Sequence, residues 1–199
     1  ASCSREQDMG NTGAVGDGET CVKFSICLPG NNAPTTRALT ASNENHVQTI
    51  DILIFEQGGA WVYNTGCSGS DITTDGGDPL KKSFTIKMRQ GSYDMVMLAN
   101  ARSIVSGMNM SGQSKSAVLA ALTAQMPPGG KWITDPAATD YKAIPMWGDV
   151  GNVTINSSTQ NLDAQNIRLT RMLARVDVQI DPAVTNFTLT SVDVYNYNT

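Results

Sequence analysis

Residues Val47 to Phe55 are apolar on both sides of an extended chain, with Ile50, Ile52 and Ile54 on one face and Leu53 and Phe55 on the other. Successive side chains of a strand point to opposite faces, so this run reads as a central strand, with Asp51 its lone exception. The run before it, Cys21 to Leu28, alternates: Val22, Phe24, Ile26 and Leu28 share one face, and Cys21, Lys23, Ser25 and Cys27 the other. That is a half-buried strand. Pro29 to Pro34 ends it, because proline lacks the ladder N–H and glycine or asparagine accepts turn dihedrals. The polar loop that follows runs to Asn45 and carries Arg37, the sole Lys or Arg between Lys23 and Lys81. Cutting there separates one strand from the rest of the fold and leaves an unpaired, sticky edge.

Further short runs continue the pattern. Gly58-Gly59 before Trp61-Val62-Tyr63 reads as a hairpin, Asn64 to Pro79 as a long exposed loop, and Phe84 to Met88 with Tyr93 to Leu98 as a second hairpin around Gln90-Gly91. Lys115 to Thr123, after Ser114, places Val118, Leu119 and Leu122 at helical spacing and is the one expected helix, stopped by Pro127 to Gly130. Lys131 to Asp140 reads as loop and Lys142 to Trp147 as a short apolar piece. Asn152 to Ile155 follows as a brief strand after a turn at Asp149 to Gly151, then Gln165 to Ile180 and a bulged last strand at Phe187 to Tyr197. Eight or nine short strands and one helix make a mainly β chain, an antiparallel β-sandwich.

At 199 residues with 40% apolar composition, the chain can bury a core as one generous domain or two small ones. Charged residues are 16% and the net charge is −4, so there is no basic stripe for nucleic-acid phosphates or an anionic membrane surface. The longest apolar stretches fall far short of the ~20 residues that cross a bilayer. Four cysteines without a Cys-x-x-Cys pair, and the single histidine His46, argue against zinc and leave no metal or cofactor site expected. His46 reads as a solvent-exposed loop residue without a partner for acid–base work, and Asp71, Asp75 and Asp78 lack the order of a calcium loop. With no convergent nucleophile, base or ligand set, no enzyme is expected.

Three further features bear on function. Ala1-Ser2-Cys3 resembles the end of a bacterial lipobox, which makes Cys3 a lipidation site and residues 1–18, polar and Gly-rich, a flexible tether on the far side of the inner membrane. Cys21 and Cys27 lie about 20 Å apart along a strand, beyond the ~7 Å a disulfide spans, so either one pairs with Cys67 or both are free. Trp61, Tyr63, Trp132, Trp147, Tyr195 and Tyr197 offer an alternative function, a sugar-stacking platform on a surface glycan-binding lipoprotein, although core positions suit them better. Arg171 and Arg175 read as solvated charge at a sheet edge.

Several segments occur together in order: Thr36-Arg37-Ala38 ahead of Val47 to Phe55, then Leu98 to Ala101, Ile144 to Gly148, and Leu169 to Val178. In sequence and spacing they resemble the fimbrillin-like family of type V pilus proteins. The similarity covers most of residues 19–197, that family's N-terminal domain. It implies a transthyretin-like β-sandwich and a structural subunit of a surface fimbria, exported through the periplasm as a lipoprotein to the cell outer membrane and supporting adhesion. In the family an arginine- or lysine-specific protease cuts the loop after the first strand, the strand leaves, and a neighbour's donor strand fills the groove. Carried onto this chain, the lipid site is Cys3, the cleaved bond joins Arg37 and Ala38, and Val22, Phe24, Ile26 and Leu28 occupy the groove. The implied partners are other pilus subunits, the processing protease and a host or bacterial surface ligand, with the membrane reached through the lipid anchor alone. The family also implies a second β-domain that donates the strand. Because the chain ends at Asn198-Thr199, a fragment or a subunit that accepts without donating is expected. A disulfide from the leaving strand opposes its release and suits an anchor or tip subunit that keeps it.

Overall fold

A computed structural model of the chain describes residues 18–30, 41–125, 132–159, 161–162 and 167–173, with 186, 188, 190 and 191. Residues 1–17 of the tether, most of the last expected strand and most of Gln165 to Ile180 lie outside the described residues.

The strands form two sheets. One holds β1 (Glu19–Cys27), β4 (Thr73–Thr74), β5 (Lys81–Arg89) and β8 (Ile167–Arg168), in the order β4-β5-β1-β8. The other holds β2 (Thr49–Glu56), β3 (Trp61–Ser68), β6 (Gly91–Ala99), β7 (Met146–Ile155) and β9 (Thr170–Arg171), in the order β3-β2-β6-β7-β9. Pairing is antiparallel except between β1 and β8, which run parallel. The inward faces of both sheets merge in one core: Val22, Phe24 and Ile26 from β1, Phe84, Ile86 and Met88 from β5, Ile50, Ile52 and Ile54 from β2, Met95 and Met97 from β6. The expected sandwich is therefore present.

β2 is central, between β3 and β6, and its second apolar face is covered as well. Leu53 and Phe55 are buried with Val96, Leu98, Ala101, Val105, Met110 and Val118 beneath the segment that carries α2 (Arg102–Val105) and α3 (Lys115–Ala121). α3 begins where capping chemistry directs, the Ser114 hydroxyl accepting from the Ala117 N–H at 3.3 Å. Two one-turn helices, α1 (Ala41–Glu44) and α2, join the expected one. Four residues are too few for apolar periodicity to reveal.

Asp51, the exception in β2, is 8% exposed; its Oδ1 accepts from Arg102 Nε at 2.9 Å. Arg102 also donates to the carbonyls of Ile50 (3.1 Å) and Cys67 (3.0 Å). It lies over Gly66, where a Cβ meets the Ile50 oxygen at 2.3 Å and Arg102 at 3.1 Å, so the site requires glycine.

Three expectations need correction. Asn64 to Pro79 is not one exposed loop: β3 continues to Ser68, with Thr65 and Cys67 turned inward, because pairing along β2 outweighs the weak strand propensity of Asn64 and Gly66. β5 and β6 are not a hairpin. Each pairs in a different sheet, and the chain crosses between sheets at Gln90-Gly91, where a Cβ on Gly91 lies 2.5 Å from Tyr93 Oη. A corner and a hairpin show the same alternation, and only the partners distinguish them. Asp149 to Gly151 is no turn but part of β7, which continues to Ile155 through a bulge where Asn152 has φ of 56°. Asp94 pins that bulge, accepting from the N–H groups of Asn152 and Gly58 at 3.0 Å each, and these bonds hold its carboxyl below the ordinary range.

Candidate strand-exchange site

β1 is an inner strand that precedes the Arg37 segment. All nine residues pair antiparallel with β5, from Glu19 opposite Arg89 to Cys27 opposite Lys81, and Leu28 N donates to Leu80 O at 2.7 Å just beyond. On its other rim the described contacts include the short β8 ladder at Ile26 and Cys27, the parallel bridge between Lys23 and Asn161, the bonds from Leu162 N to Lys23 O and Leu169 N to Cys27 O, and Thr20 Oγ1 to Thr159 O. Val22, Phe24 and Ile26 are fully buried and Leu28 is 5% exposed. The Phe24 ring stacks on Phe84 with centroids 5.7 Å apart.

These four side chains contribute about 6–12 kcal/mol at roughly 1.5–3 kcal/mol each. The total stability of a domain is about 5–15 kcal/mol, so a body stripped of β1 is left with an apolar groove and an unpaired β5 rim that an incoming strand must fill.

The remaining residues singled out in the sequence divide as follows. Cys3, Arg37, Ala38, Arg175, Tyr195 and Tyr197 lie outside the described residues. Of the two alternatives for the cysteines, the structure has the unpaired one: Cys67 is a free thiol, 1% exposed in the core, whereas Cys21 and Cys27 lie on the outward face of β1. A whole layer of side chains separates them. Burial pushes the Cys67 thiol up to about 12.

His46 is not a solvent-exposed loop residue without a partner. Its Nδ1 is 2.5 Å from Tyr141 Oη, the two rings stack, and burial raises the Tyr141 phenol above its usual value. Arg171 lies on the edge strand β9 but is not solvated charge; its side chain is 17% exposed, donates to Asn45 Oδ1 at 2.6 Å and lies 3.8 Å from Glu44. Asn45 in turn donates from Nδ2 to Pro29 O at 3.1 Å, so these residues meet the chain as it leaves β1. No sequence signal found this cluster, because its members lie up to 126 positions apart.

Among the described residues, Trp61, Tyr63 and Trp132 do not share one platform. A bulge shifts the β2–β3 register between Ile54 and Phe55, so Trp61 packs on the helix-covered side while Tyr63 points into the core. Trp132 and Tyr141 instead line a cleft of about 530 Å³ with Gln48, Asn100, Arg102 and Lys142. Its polar groups are largely engaged by the protein itself: Asn100 bonds His46 O, Ile144 O and Gln48 N, and Trp132 Nε1 donates to Lys142 O.

A model of the family described as fimbrillin-A associated anchor proteins Mfa1 and Mfa2 matches residues 13–199. The chain belongs to this family. Solved structures similar to this family member include the tip fimbrial protein Mfa3 from Porphyromonas gingivalis with C-terminal truncation, 19% identical, with 76% of this chain and 48% of that one aligned at a TM-score of 0.46. A fimbrial assembly protein from Parabacteroides distasonis is 15% identical, with 78% and 54% aligned at a TM-score of 0.38. The chain thus spans about half the length of these proteins. No curated protein matches it. Membership places this chain in a family of pilus-related structural proteins.

Proposed function

We propose that the chain is a structural pilus subunit, exported as a lipoprotein acylated at Cys3 and held in the outer membrane. It joins its neighbours by donor-strand exchange after cleavage between Arg37 and Ala38. The observation that carries this reading is the position of β1: one inner strand, upstream of Arg37, with Val22, Phe24, Ile26 and Leu28 all buried in the sandwich. A single cut in the following segment leaves it held by noncovalent contacts, which a strand of like pattern can replace by β-augmentation. A head-to-tail contact of this kind does not close and so extends a filament. Cys67 as a free thiol is compatible with release of β1.

Brief digestion with a trypsin-like protease is expected to yield a peptide ending at Arg37 that stays bound until a donor strand displaces it. Arg37→Ala should block both cleavage and incorporation into pili, and Cys3→Ala should abolish incorporation of labelled fatty acid. Pili that form as readily with Arg37→Ala sink the cleavage step.

A further inference from the structure

We infer that the β1 groove selects its donor strand on both faces: alternating apolar side chains within, an aromatic one at the position of Phe24, and a small hydroxyl-bearing one facing outward at the position of Ser25. This rests on the exchange reading above and specifies the partner that the groove accepts.

Ser25 points away from the core side chains Phe24 and Ile26 yet is 2% exposed, and its Oγ lies 2.9 Å from that of Ser83, its register partner on β5, itself 6% exposed. The other outward residues of β1 differ: Cys21 and Lys23 are exposed and Cys27 is half-buried. A donor therefore has latitude at three outward positions and none at the fourth. At 2% exposure a long side chain there has to displace its neighbours, and one without a hydroxyl takes away the partner of the buried Ser83 hydroxyl. On the inner face, Phe24 stacks on Phe84 opposite it in register, and Val22 faces Ile86. The β5 ladder is antiparallel throughout, so a donor running in the β1 direction meets each of these partners, and one running the other way loses the register. The fitting segment, read from its N-terminus, is apolar, any, aromatic, Ser or Thr, apolar, any, apolar.

The test uses the full chain cut once after Arg37, as verified by mass spectrometry, and dye-labelled synthetic peptides of residues 19–28 carrying Cys21→Ser and Cys27→Ser. Peptides compete for the cut chain, and bound label is read after gel filtration. Relative to this parent peptide, one with Ser25→Leu should bind at least tenfold more weakly and one with Ser25→Ala about three- to tenfold more weakly. In a chain bearing Ser83→Ala, the gap between the Ser and Ala peptides should close. The peptide arm uses the unsubstituted body, so it holds whatever Ser83→Ala does to folding. Entry of the Ser25→Leu peptide as tight as the parent overturns the selectivity and leaves strand exchange standing. Failure of every peptide to enter, the parent included, overturns the exchange reading and this inference with it.

Discussion

Asp51 is a carboxylate in the most apolar run of the chain, tolerated because Arg102 reaches it at 2.9 Å across Gly66. Burial raises its pKa from 3.8, and the Arg102 charge and hydrogen bond oppose the rise without cancelling it. The folded state therefore holds this proton more tightly than the unfolded chain. The contribution of Asp51 to stability is greatest below pH 3.8, falls as pH rises through the raised value, and is level above it. Denaturant titrations against pH should show this decline in the parent and lose it in Asp51→Asn. Arg102→Met strands the charge and should cost about 2–3 kcal/mol at neutral pH, less than for a fully buried pair because Arg102 is 42% exposed. A neutral effect of Arg102→Met at pH 7 contradicts the pairing. The sequence marked Asp51 as anomalous but held no sign of Arg102, 51 positions away.

The two faces of β1 should respond oppositely to substitution. Phe24→Ala removes a fully buried ring stacked on Phe84 and should cost about 3–5 kcal/mol in chemical denaturation, while Cys21→Ser on the exposed face should stay within about 0.5 kcal/mol. Equal effects of the two mean that the strand's facing is wrong. That facing was legible because a period of two survives any choice of neighbour. The ends of β3 and β7 were not legible: Gly66 and Asn152 are poor strand formers by local propensity, kept in place by Arg102 lying over one and Asp94 bonding the other.

Among the described residues two sheets pack together with a helical layer on the outer face of the larger one, and Cys67 sits inside the sandwich as a built-in reporter of its opening. At 1% exposure and with a pKa of about 12, its thiol should react with a disulfide reagent at pH 8 only when the sheets part. Its labelling rate should rise with denaturant in step with global unfolding, and rapid labelling of the native chain counts against this packing. Chain cut after Arg37 and then stripped of β1 should label faster than cut chain that retains it.

Composition and alternation alone determined the class of fold, the inward set of β1, the central place of β2 and the helix at Lys115–Ala121, because each depends on the order of side chains along one segment. The family was legible in the same way, from short segments in register. Tertiary structure alone decided that β5 and β6 part into different sheets, that Cys67 is sealed from Cys21 and Cys27, and that Glu44, Asn45 and Arg171 gather beside the exit of β1. These are contacts between distant stretches of chain. A strand carries its own facing in its pattern, but its partners are chosen by the packing of the whole.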